Sequence, residues 1–327
     1  MIQYRRYQNK RNFSVDLAKS SDIEWEPIPE AVMLSSQEEQ STLAAKLKEL
    51  ENWKQNNVYE EVPSSNQKAI STRWVITPKE INGQLVTKAR LVVRGFEDEA
   101  VEKTLTNSPT CSKETIRVCM SLISSNKWKC CSIDAKTAFL QGNPLKRDIY
   151  IKPPKEAETT SLWRLKKAVY GLNEASRHWY EKVKDELLKL GFQCSKFDEA
   201  FFFLKSENKL AGLMSVHVDD FLNGGNNIFR DQLAQLKSQV TFGEELPAPF
   251  KFLGTNVKQN EDMTISINQK EYSDEIEPME ISNKKAKMRV LNQDEQYQYR
   301  KVVGQLNWLS SQSRPDLSYD VCQLSIQ

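Results

Sequence analysis

The chain has 327 residues, a formal net charge of +2 at pH 7 and 28% charged residues, which indicates an ordinary soluble composition with room for two or three domain-sized units. No apolar run approaches the length of a membrane-spanning helix, and the basic start MIQYRRYQNKRNFS lacks the apolar stretch of a secretory signal. The six cysteines contain no CxxC pair, and only two histidines are present, which argues against a zinc site or a disulfide framework. We therefore expect a protein of a reducing compartment that is not secreted and has no membrane segment.

Positive charge is unevenly distributed along this near-neutral chain. Six basic residues between positions 68 and 94 are accompanied by one acid, Glu80, and the span 284–289 holds four basic residues and no acid. Such local basic surfaces either contact phosphates or form solvated faces, and charge alone leaves both interpretations open.

The first segment of the chain has no clear periodicity, and we expect residues 1–34 to form an extended arm. A helix is predicted next, because Ser36 and Glu39 have the spacing of a capping box. Three leucines of this helix fall on one face, which we expect to pack in the core: Leu43, Leu47 and Leu50.

A β-hairpin is predicted within residues 73–94. Two β-rich runs flank an Asn-Gly dipeptide at 82–83, which favours a tight turn because both residues tolerate positive φ. Side chains two apart share a strand face, so Lys88 and Arg90 lie on one side, with Lys79 across the hairpin. A basic hairpin of this kind is suited to closing over a phosphate chain.

Further helices are predicted over 112–126, 173–190 and 229–239, and the last 50 residues are also expected to be helical. Ser112 is the expected cap of the first of these helices, and Gly191 the expected stop of the second. Strands fall between the helices without regular βαβ alternation, which predicts an α+β fold.

Two adjacent aspartates, Asp219 and Asp220, follow the apolar run SVHV and precede FLNGG, whose Asn-Gly pair is a turn signal. Adjacent acids repel one another and are costly to desolvate. A second apolar strand, CSID, ends in Asp134, so two strands can bring three carboxylates together. Hard divalent cations such as Mg²⁺ prefer these oxygen ligands and relieve the repulsion. A lone Val-Asp-Asp would indicate only an acidic turn in water, but the second strand favours a magnesium site.

Seven segments of the chain are KARLVVRGF, SIDAKTAFLQG, IYIKPP, LKKAVYGL, SVHVDDFLNGG, FLG and YRKVVGQLNWLSSQSRPDLSY. They occur in the order found in the reverse transcriptases of Copia-type LTR retrotransposons (Pseudoviridae), and the resemblance covers roughly residues 40–326. Each segment is a weak signal, but the ordered set is specific.

The resemblance implies an α+β right-hand polymerase with an antiparallel palm sheet backed by helices. It also implies an RNA-directed DNA polymerase, a nucleotidyltransferase that adds dNTPs to a primer 3′-hydroxyl on an RNA or DNA template with two Mg²⁺ ions, or with Mn²⁺. The alternative is a domesticated or inactive retrotransposon remnant that binds nucleic acid without polymerising. The implied division is fingers at 35–105 and 142–178, palm at 106–141 and 179–255, and thumb at 256–327, with no RNase H domain.

The resemblance also assigns roles to single residues. The implied catalytic and metal-holding residues are Asp134, Asp219 and Asp220, with the backbone carbonyl of Ala135 as a further metal ligand. The implied nucleotide pocket consists of Lys79, Lys88, Arg90, Phe139, Glu174 and Arg177. Phe139 matches an aromatic gate that excludes the ribonucleotide 2′-hydroxyl; otherwise it is a core residue. The implied primer contacts are His217, Phe252, Leu253 and Gly254, where His217 is otherwise a partly exposed strand residue.

The chain departs from the family pattern Tyr-Gly-Leu-Lys-Gln and a following proline, because residues 170–176 are YGLNEAS. Glu174 replaces the glutamine that contacts the incoming nucleotide, which places negative charge near a triphosphate. Arg177 is three residues on and is the expected partner of Glu174. The sequence therefore predicts that Glu174→Gln raises nucleotide incorporation. His217 is a second departure, since tyrosine usually occupies its position.

The three aspartates of the pattern are intact, which favours retained catalysis. The expected location is the cytoplasm, in a virus-like particle, or the nucleus. The sequence is compatible with a piece of a longer polyprotein and with a freestanding gene, and it leaves the oligomeric state open.

Overall fold

The computed structural model describes residues 29–81, 83–99, 106–279 and 290–326. Helices and strands are mixed along the chain, as expected for an α+β protein. The helices are α1 (Pro29–Gln55), α2 (Lys113–Ser125), α3 (Ala175–Lys189), α4 (Asn227–Gln239), α5 (Lys270–Asp274), α6 (Gln293–Gln312) and α7 (Ser318–Ile326). The strands are β1 (Tyr59–Val62), β2 (Ala69–Ile70), β3 (Thr72–Ile81), β4 (Gln84–Val93), β5 (Cys131–Asp134), β6 (Tyr150–Ile151), β7 (Leu162–Leu165), β8 (Gln193–Cys194), β9 (Phe201–Ser206), β10 (Lys209–His217), β11 (Asp220–Gly225), β12 (Leu246–Pro247), β13 (Phe250–Phe252), β14 (Thr255–Gln259) and β15 (Ile265–Asn268).

A six-stranded antiparallel sheet has the order β12-β5-β11-β10-β9-β8. Strands β8 to β11 follow one another in the chain, whereas β5 is inserted between β11 and β12, which come much later in the sequence. Apolar side chains of this sheet and of α2, α3 and α4 form one buried cluster, whose largest members include Trp179, Phe202, Phe221 and Phe229. Burial of this apolar surface is the main favourable contribution to the stability of the sheet.

The segment FLNGG does not form the turn that its Asn-Gly pair indicates, because it is strand β11. Gly224 and Gly225 are consecutive in the strand and therefore point to opposite faces of the sheet. A Cβ on Gly224 would lie 2.7 Å from Ile123 of α2, and one on Gly225 would lie 2.4 Å from Phe229 of α4. The glycines thus allow helices to approach both faces of the strand, and close packing overrides the turn preference.

A second core lies under a four-stranded sheet of order β1-β7-β6-β2. Trp53 of α1 and Trp163 of β7 are buried there, and the Tyr59 and Trp163 rings stack with centroids 3.8 Å apart. Helix α1 also packs against β4. Strands β3 and β4 form the predicted hairpin, in which Ile81 is the register partner of Gln84.

The chain ends in a third group of elements. Strands β13, β14 and β15 form an antiparallel sheet, followed by α5, α6 and α7. The Asn292 side chain accepts from the Glu295 amide at 2.9 Å, and Glu295 accepts in return from the Asn292 amide, so a capping box begins α6. Arg117 of α2 donates to the carbonyls of Ser311 and Gln312 at 3.0 and 2.7 Å, which ties the end of α6 to α2.

Several sequence-based expectations are wrong in detail. Helix α1 begins at Pro29 rather than Ser36, so the last residues of the expected arm are helical, and residues 1–28 lie outside the described residues. Leu43 and Leu47 are 48% and 49% exposed, because only the end of α1 near Leu50 reaches the core.

Two of the expected domain boundaries fall inside regular secondary structure. The boundary at 178 cuts through α3, and the boundary at 255 cuts through the sheet formed by β13 and β14. A continuous hydrogen-bonded helix or sheet belongs to one structural unit, so α3 goes entirely with the six-stranded sheet, and β13 goes with β14 and β15. The basic span 284–289 lies outside the described residues.

All six cysteines are free thiols, as expected. In the part of the chain that the structure describes, no helix is both long and apolar enough to cross a membrane.

Candidate active site

Three carboxylates lie at one end of the six-stranded sheet. Strands β5 and β11 pair in a register that places Asp134 directly opposite Asp220. Residues opposite each other in an antiparallel pair have Cβ atoms about 5 Å apart. Asp219 immediately precedes β11, and its carbonyl accepts a hydrogen bond of 2.7 Å from the amide of Ala135. Two segments that are distant in sequence therefore meet at the acids.

The backbone corner that carries the acid pair has an uncommon conformation. Strands β10 and β11 are joined through Val218 and Asp219, since His217 is the register partner of Asp220. Val218 has a φ of 59°, a left-handed value that is rare for a β-branched residue. Trp179 of α3 donates from Nε1 to the Val218 carbonyl at 2.7 Å and so holds the corner. Strain of this kind is concentrated at functional sites.

The ionised form of Asp220 is disfavoured by its burial and by the two neighbouring carboxylates. Burial, together with the neighbouring charges of Asp219 and Asp134, raises the pKa of Asp220 to about 6, whereas His217 acts to lower it. Asp134 and Asp219 are exposed to solvent. The ionised form of the half-buried Asp220 is therefore costly until positive charge arrives.

The donor chemistry of this corner suits a hard divalent cation, because three carboxylates converge on one sheet end. Their oxygens do not meet at one point: no cluster of three or more His, Cys, Asp or Glu side chains within the described ranges is close enough to hold a metal ion. The Asp134 carboxylate leans towards Gly243, where an added Cβ would lie 2.5 Å from Oδ1. The residue types suit a divalent cation, and Asp134 and Asp219 are exposed side chains whose carboxylates are free to rotate.

The basic residues of the β3–β4 hairpin share one face. Lys88 is the register partner of Thr77 and Arg90 of Val75, which places both on the face of Lys79. Burial lowers the pKa of Lys88, and Arg90 and Lys79 lower it further, while Glu49 and Asp219 raise it. The influence of Asp219 on Lys88 means that this basic face is near the acidic corner.

Tyr170 is a member of this region that sequence reasoning missed. The Arg90 guanidinium lies 5.6 Å from the centre of the Tyr170 ring, and the Phe139 and Tyr170 rings are 5.0 Å apart. Burial raises the pKa of Tyr170 to about 12. The signal in the sequence was the tyrosine of YGL, which lies four residues before Glu174. Phe139 is partly buried and packs against both hydrophobic cores.

The expected pairing of Glu174 with Arg177 is wrong. Glu174 is 3% exposed and accepts from Arg147 at 3.0 and 2.9 Å. The same guanidinium donates to Asp98 at 3.0 Å, and these partners hold the pKa of Arg147 above its ordinary value. Arg177 instead donates to Glu181 at 2.7 Å and to the Asn107 carbonyl at 3.0 Å. Glu174 thus belongs to a buried charge triad and does not present an uncompensated charge to a nucleotide.

The expected primer contacts fall into two places. His217 ends β10 beside the acids, and its Nδ1 lies 3.5 Å from the Cys111 carbonyl. Leu253 and Gly254 form the turn between β13 and β14, with φ values of 45° and 80°. Two positive φ values are typical of a type I′ hairpin turn. Phe252 is buried, and a Cβ on Gly254 would contact the Trp308 ring at 3.3 Å.

The chain matches the reverse transcriptase (RNA-dependent DNA polymerase) family over residues 56–291 and belongs to that family. Among its relatives is the retrovirus-related Pol polyprotein from transposon RE1 of Arabidopsis thaliana, 28% identical over 90% of this chain and 22% of that protein. Another is the corresponding polyprotein from transposon TNT 1-94 of Nicotiana tabacum, 30% identical over 73% of this chain and 18% of that protein. These relatives confirm a Copia-type reverse transcriptase domain. The chain spans about a fifth of their length.

A solved structure of a foamy viral protease-reverse transcriptase in complex with double-stranded DNA is also similar. It has a TM-score of 0.48 and 14% identity, and the match covers 82% of this chain and 40% of that chain. Family membership confirms the α+β right-hand polymerase class.

Proposed function

We propose that this domain catalyses RNA-directed DNA synthesis, in which a primer 3′-hydroxyl attacks the α-phosphate of a dNTP and pyrophosphate leaves. The observation that carries the proposal is the register of β5 and β11, which sets Asp134 against Asp220 with Asp219 adjacent. The sheet with α2, α3 and α4 is the palm, the hairpin with the four-stranded sheet is the fingers, and the elements from β13 onwards lead into the thumb. The template is RNA or DNA, and the compartment is the cytoplasm, in a virus-like particle, or the nucleus.

The three aspartates would hold two Mg²⁺ ions, or Mn²⁺, together with the carbonyl of Ala135. When bound, these ions neutralise phosphate charge and stabilise the attacking and leaving oxygens. The protein contributes a fixed corner, because Trp179 holds the Val218 carbonyl at 2.7 Å. His217 and the turn at Leu253 and Gly254 are the proposed primer contacts.

The nucleotide is proposed to bind between the hairpin and the acids. Lys79, Lys88 and Arg90 share one hairpin face and supply positive charge for a triphosphate. The paired rings of Phe139 and Tyr170 form an apolar wall for the sugar. We leave Glu174 and Arg177 out of the proposed pocket, because Glu174 is buried and the Arg177 guanidinium donates to Glu181 and to the Asn107 carbonyl.

Primer extension tests the proposal. The protein is expected to extend a DNA primer on an RNA template when dNTPs and Mg²⁺ are supplied, and to do so on a DNA template as well. Tight binding of primed template without extension at any Mg²⁺ or Mn²⁺ concentration would overturn the proposal in favour of a nucleic-acid-binding remnant.

Mg²⁺ is expected to raise the melting temperature of the protein without any substrate. A ligand that binds only the folded state at 100 times its Kd stabilises that state by about 2.7 kcal/mol. Asp220→Asn removes one of the repelling carboxylates, so it should raise the melting temperature of the metal-free protein and reduce the response to Mg²⁺. The control is Asp231→Asn, an exposed residue of α4. Equal Mg²⁺ responses in Asp220→Asn and wild type would contradict the proposed metal site.

Phe139→Val is expected to admit ribonucleotides, because a smaller side chain leaves room for the 2′-hydroxyl. The ratio of kcat/KM for GTP to that for dGTP should rise by about tenfold or more, within the range by which pocket shape discriminates substrates. Phe197→Val, at a fully exposed ring in the loop before β9, is the matched control. An unchanged ratio in Phe139→Val would assign the ring to core packing alone.

A further inference from the structure

A cavity of about 560 Å³ lies at the end of β7, and none of its lining residues belongs to the proposed catalytic site. It forms where residues 144–148 meet residues 164–167, with Asn57 at the turn between α1 and β1. Small-molecule sites in proteins occupy about 300–1,000 Å³, so the cavity has room for a ligand of that kind.

The lining of this cavity is strongly basic. Five of its ten residues are cations and one, Asp148, is an acid. The cations are Lys146, Arg147, Arg164, Lys166 and Lys167. No aromatic side chain is among the described lining residues, so the cavity offers positive charge without a ring on which a base could stack. It is therefore suited to phosphate groups rather than to nucleobases.

Three of the five cations have carboxylate partners. Arg164 pairs with Glu60 at 2.6 Å and with Asp148 at 3.2 Å. Lys166 Nζ lies 3.8 Å from Glu60, and Arg147 belongs to the buried charge triad. These partners hold the three cations in position and leave two lysines without a carboxylate.

Those two lysines are Lys146 and Lys167, which form no ion pair with another described residue. Lys146 is exposed, whereas the half-buried Lys167 donates from Nζ to the Leu140 carbonyl at 3.2 Å. Burial and the nearby charge of Lys182 lower the pKa of Lys167. A half-buried ammonium without a counter-ion is costly, and a bound anion would relieve that cost.

The backbone that carries the cations is held by hydrogen bonds. The Leu145 amide donates to the Lys166 carbonyl at 2.8 Å, and the Lys166 amide donates to the Val58 carbonyl at 2.7 Å. The Lys166 side chain donates to Asn57 Oδ1 at 3.0 Å. Cations on a fixed backbone lose less conformational freedom on binding than cations on a mobile loop. The cavity is thus preorganised for an anion.

We propose that this cavity is a second anion site, separate from the nucleotide site, which binds a small ligand with several phosphate groups. A single phosphate would engage only part of a lining whose cations come from two segments of the chain. A phosphorylated polyol and a short polyphosphate share the required chemistry, and the experiment separates them. The proposal does not depend on the polymerase function, because such a ligand needs neither primer nor catalytic metal.

The test compares two charge-matched double variants by isothermal titration calorimetry. The cavity variant is Lys146→Gln/Lys167→Gln, and the control is Lys205→Gln/Lys209→Gln, whose lysines are exposed on β9 and β10. The probes are inositol hexakisphosphate, tripolyphosphate and inorganic phosphate, each titrated in EDTA so that no metal occupies the acidic corner. Thermal melting verifies folding, and Lys146→Gln, a change at an exposed residue, replaces the double variant if the latter melts early.

The wild-type protein is expected to bind inositol hexakisphosphate or tripolyphosphate with one ligand per chain and more tightly than inorganic phosphate. The cavity variant should bind about tenfold or more weakly, and Lys146→Gln alone about threefold or more weakly, because charge-assisted hydrogen bonds to phosphate are lost. The control should match the wild type, and saturating primer–template should not displace the ligand.

Equal losses in the cavity and control variants, or binding no tighter than that of inorganic phosphate, would overturn the proposal. Displacement by primer–template would place the ligand in the nucleic-acid cleft and overturn it as well. Primer extension is measured separately, and its absence would overturn the polymerase function while leaving the calorimetric result unaffected.

Discussion

Asp219→Asn is expected to lower the rate of primer extension by about 10³-fold or more, which corresponds to about 4 kcal/mol of activation free energy. The substitution keeps the size of the side chain and removes one of three carboxylates at the end of β5 and β11. A neutral amide holds a divalent cation far less well than a carboxylate, and the triphosphate then lacks its counter-charge. Single-turnover extension of a primed RNA template at saturating dNTP measures the effect.

Asp231→Asn is the matched control, because it makes the same chemical change on the exposed surface of α4. It should extend primers at the wild-type rate. Asp231→Asn should melt close to wild type and Asp219→Asn at or slightly above it, since the exposed Asp219 repels Asp220. Extension by Asp219→Asn within tenfold of wild type would show that the chemistry does not depend on this acid.

Arg147→Met is expected to lower the free energy of unfolding by about 3–5 kcal/mol, the cost of breaking a buried ion pair from one side. Arg147 joins Asp98 and Glu174, whose side chains are 8% and 4% exposed. Methionine has a similar length but removes the cation that Asp98 and Glu174 share. Urea unfolding followed by circular dichroism measures the loss.

Arg164→Met tests whether burial causes the large loss of stability expected for Arg147→Met, because Arg164 pairs with Glu60 at a half-exposed site. It should cost less than about 1 kcal/mol. Glu174→Gln leaves Arg147 with Asp98 and should cost about 1–3 kcal/mol without raising nucleotide incorporation. A similar small loss for Arg147→Met and Arg164→Met would mean that the triad contributes little to folding.

Local signals in the sequence predicted several elements well. Ser112 accepts from the Thr115 amide at 3.2 Å, so the predicted cap of α2 is real. The hairpin β3–β4 pairs Ile81 with Gln84 on either side of the predicted dipeptide, and Gly191, with a φ of 84°, follows the end of α3. Each of these features depends on a few neighbouring residues, which is why sequence alone suffices for them.

Features that depend on tertiary packing were not predictable in this way. Arg147 and Glu174 are 27 residues apart, and no local pattern marks them as partners. Helical spacing therefore made Arg177 the expected partner of Glu174. The glycines of β11 indicated a turn in the sequence. In the structure, α2 and α4 pack so closely against this strand that a side chain would not fit at either glycine. The acids could be named from motifs, but the placement of Tyr170 against Phe139 required the fold.

The position of β5 between β11 and β12 bears on how the chain folds. Its partners are synthesised much later, so the edge that pairs with β11 stays open until residue 223 has emerged and the other edge until residue 247 has emerged. Contacts of long sequence separation close large loops and slow folding, and open strand edges promote aggregation meanwhile. A copy truncated before β11 would therefore lack the aspartate pair and would also expose the strand that carries Asp134. We expect cellular quality control to remove such fragments, so that they do not persist as inactive competitors.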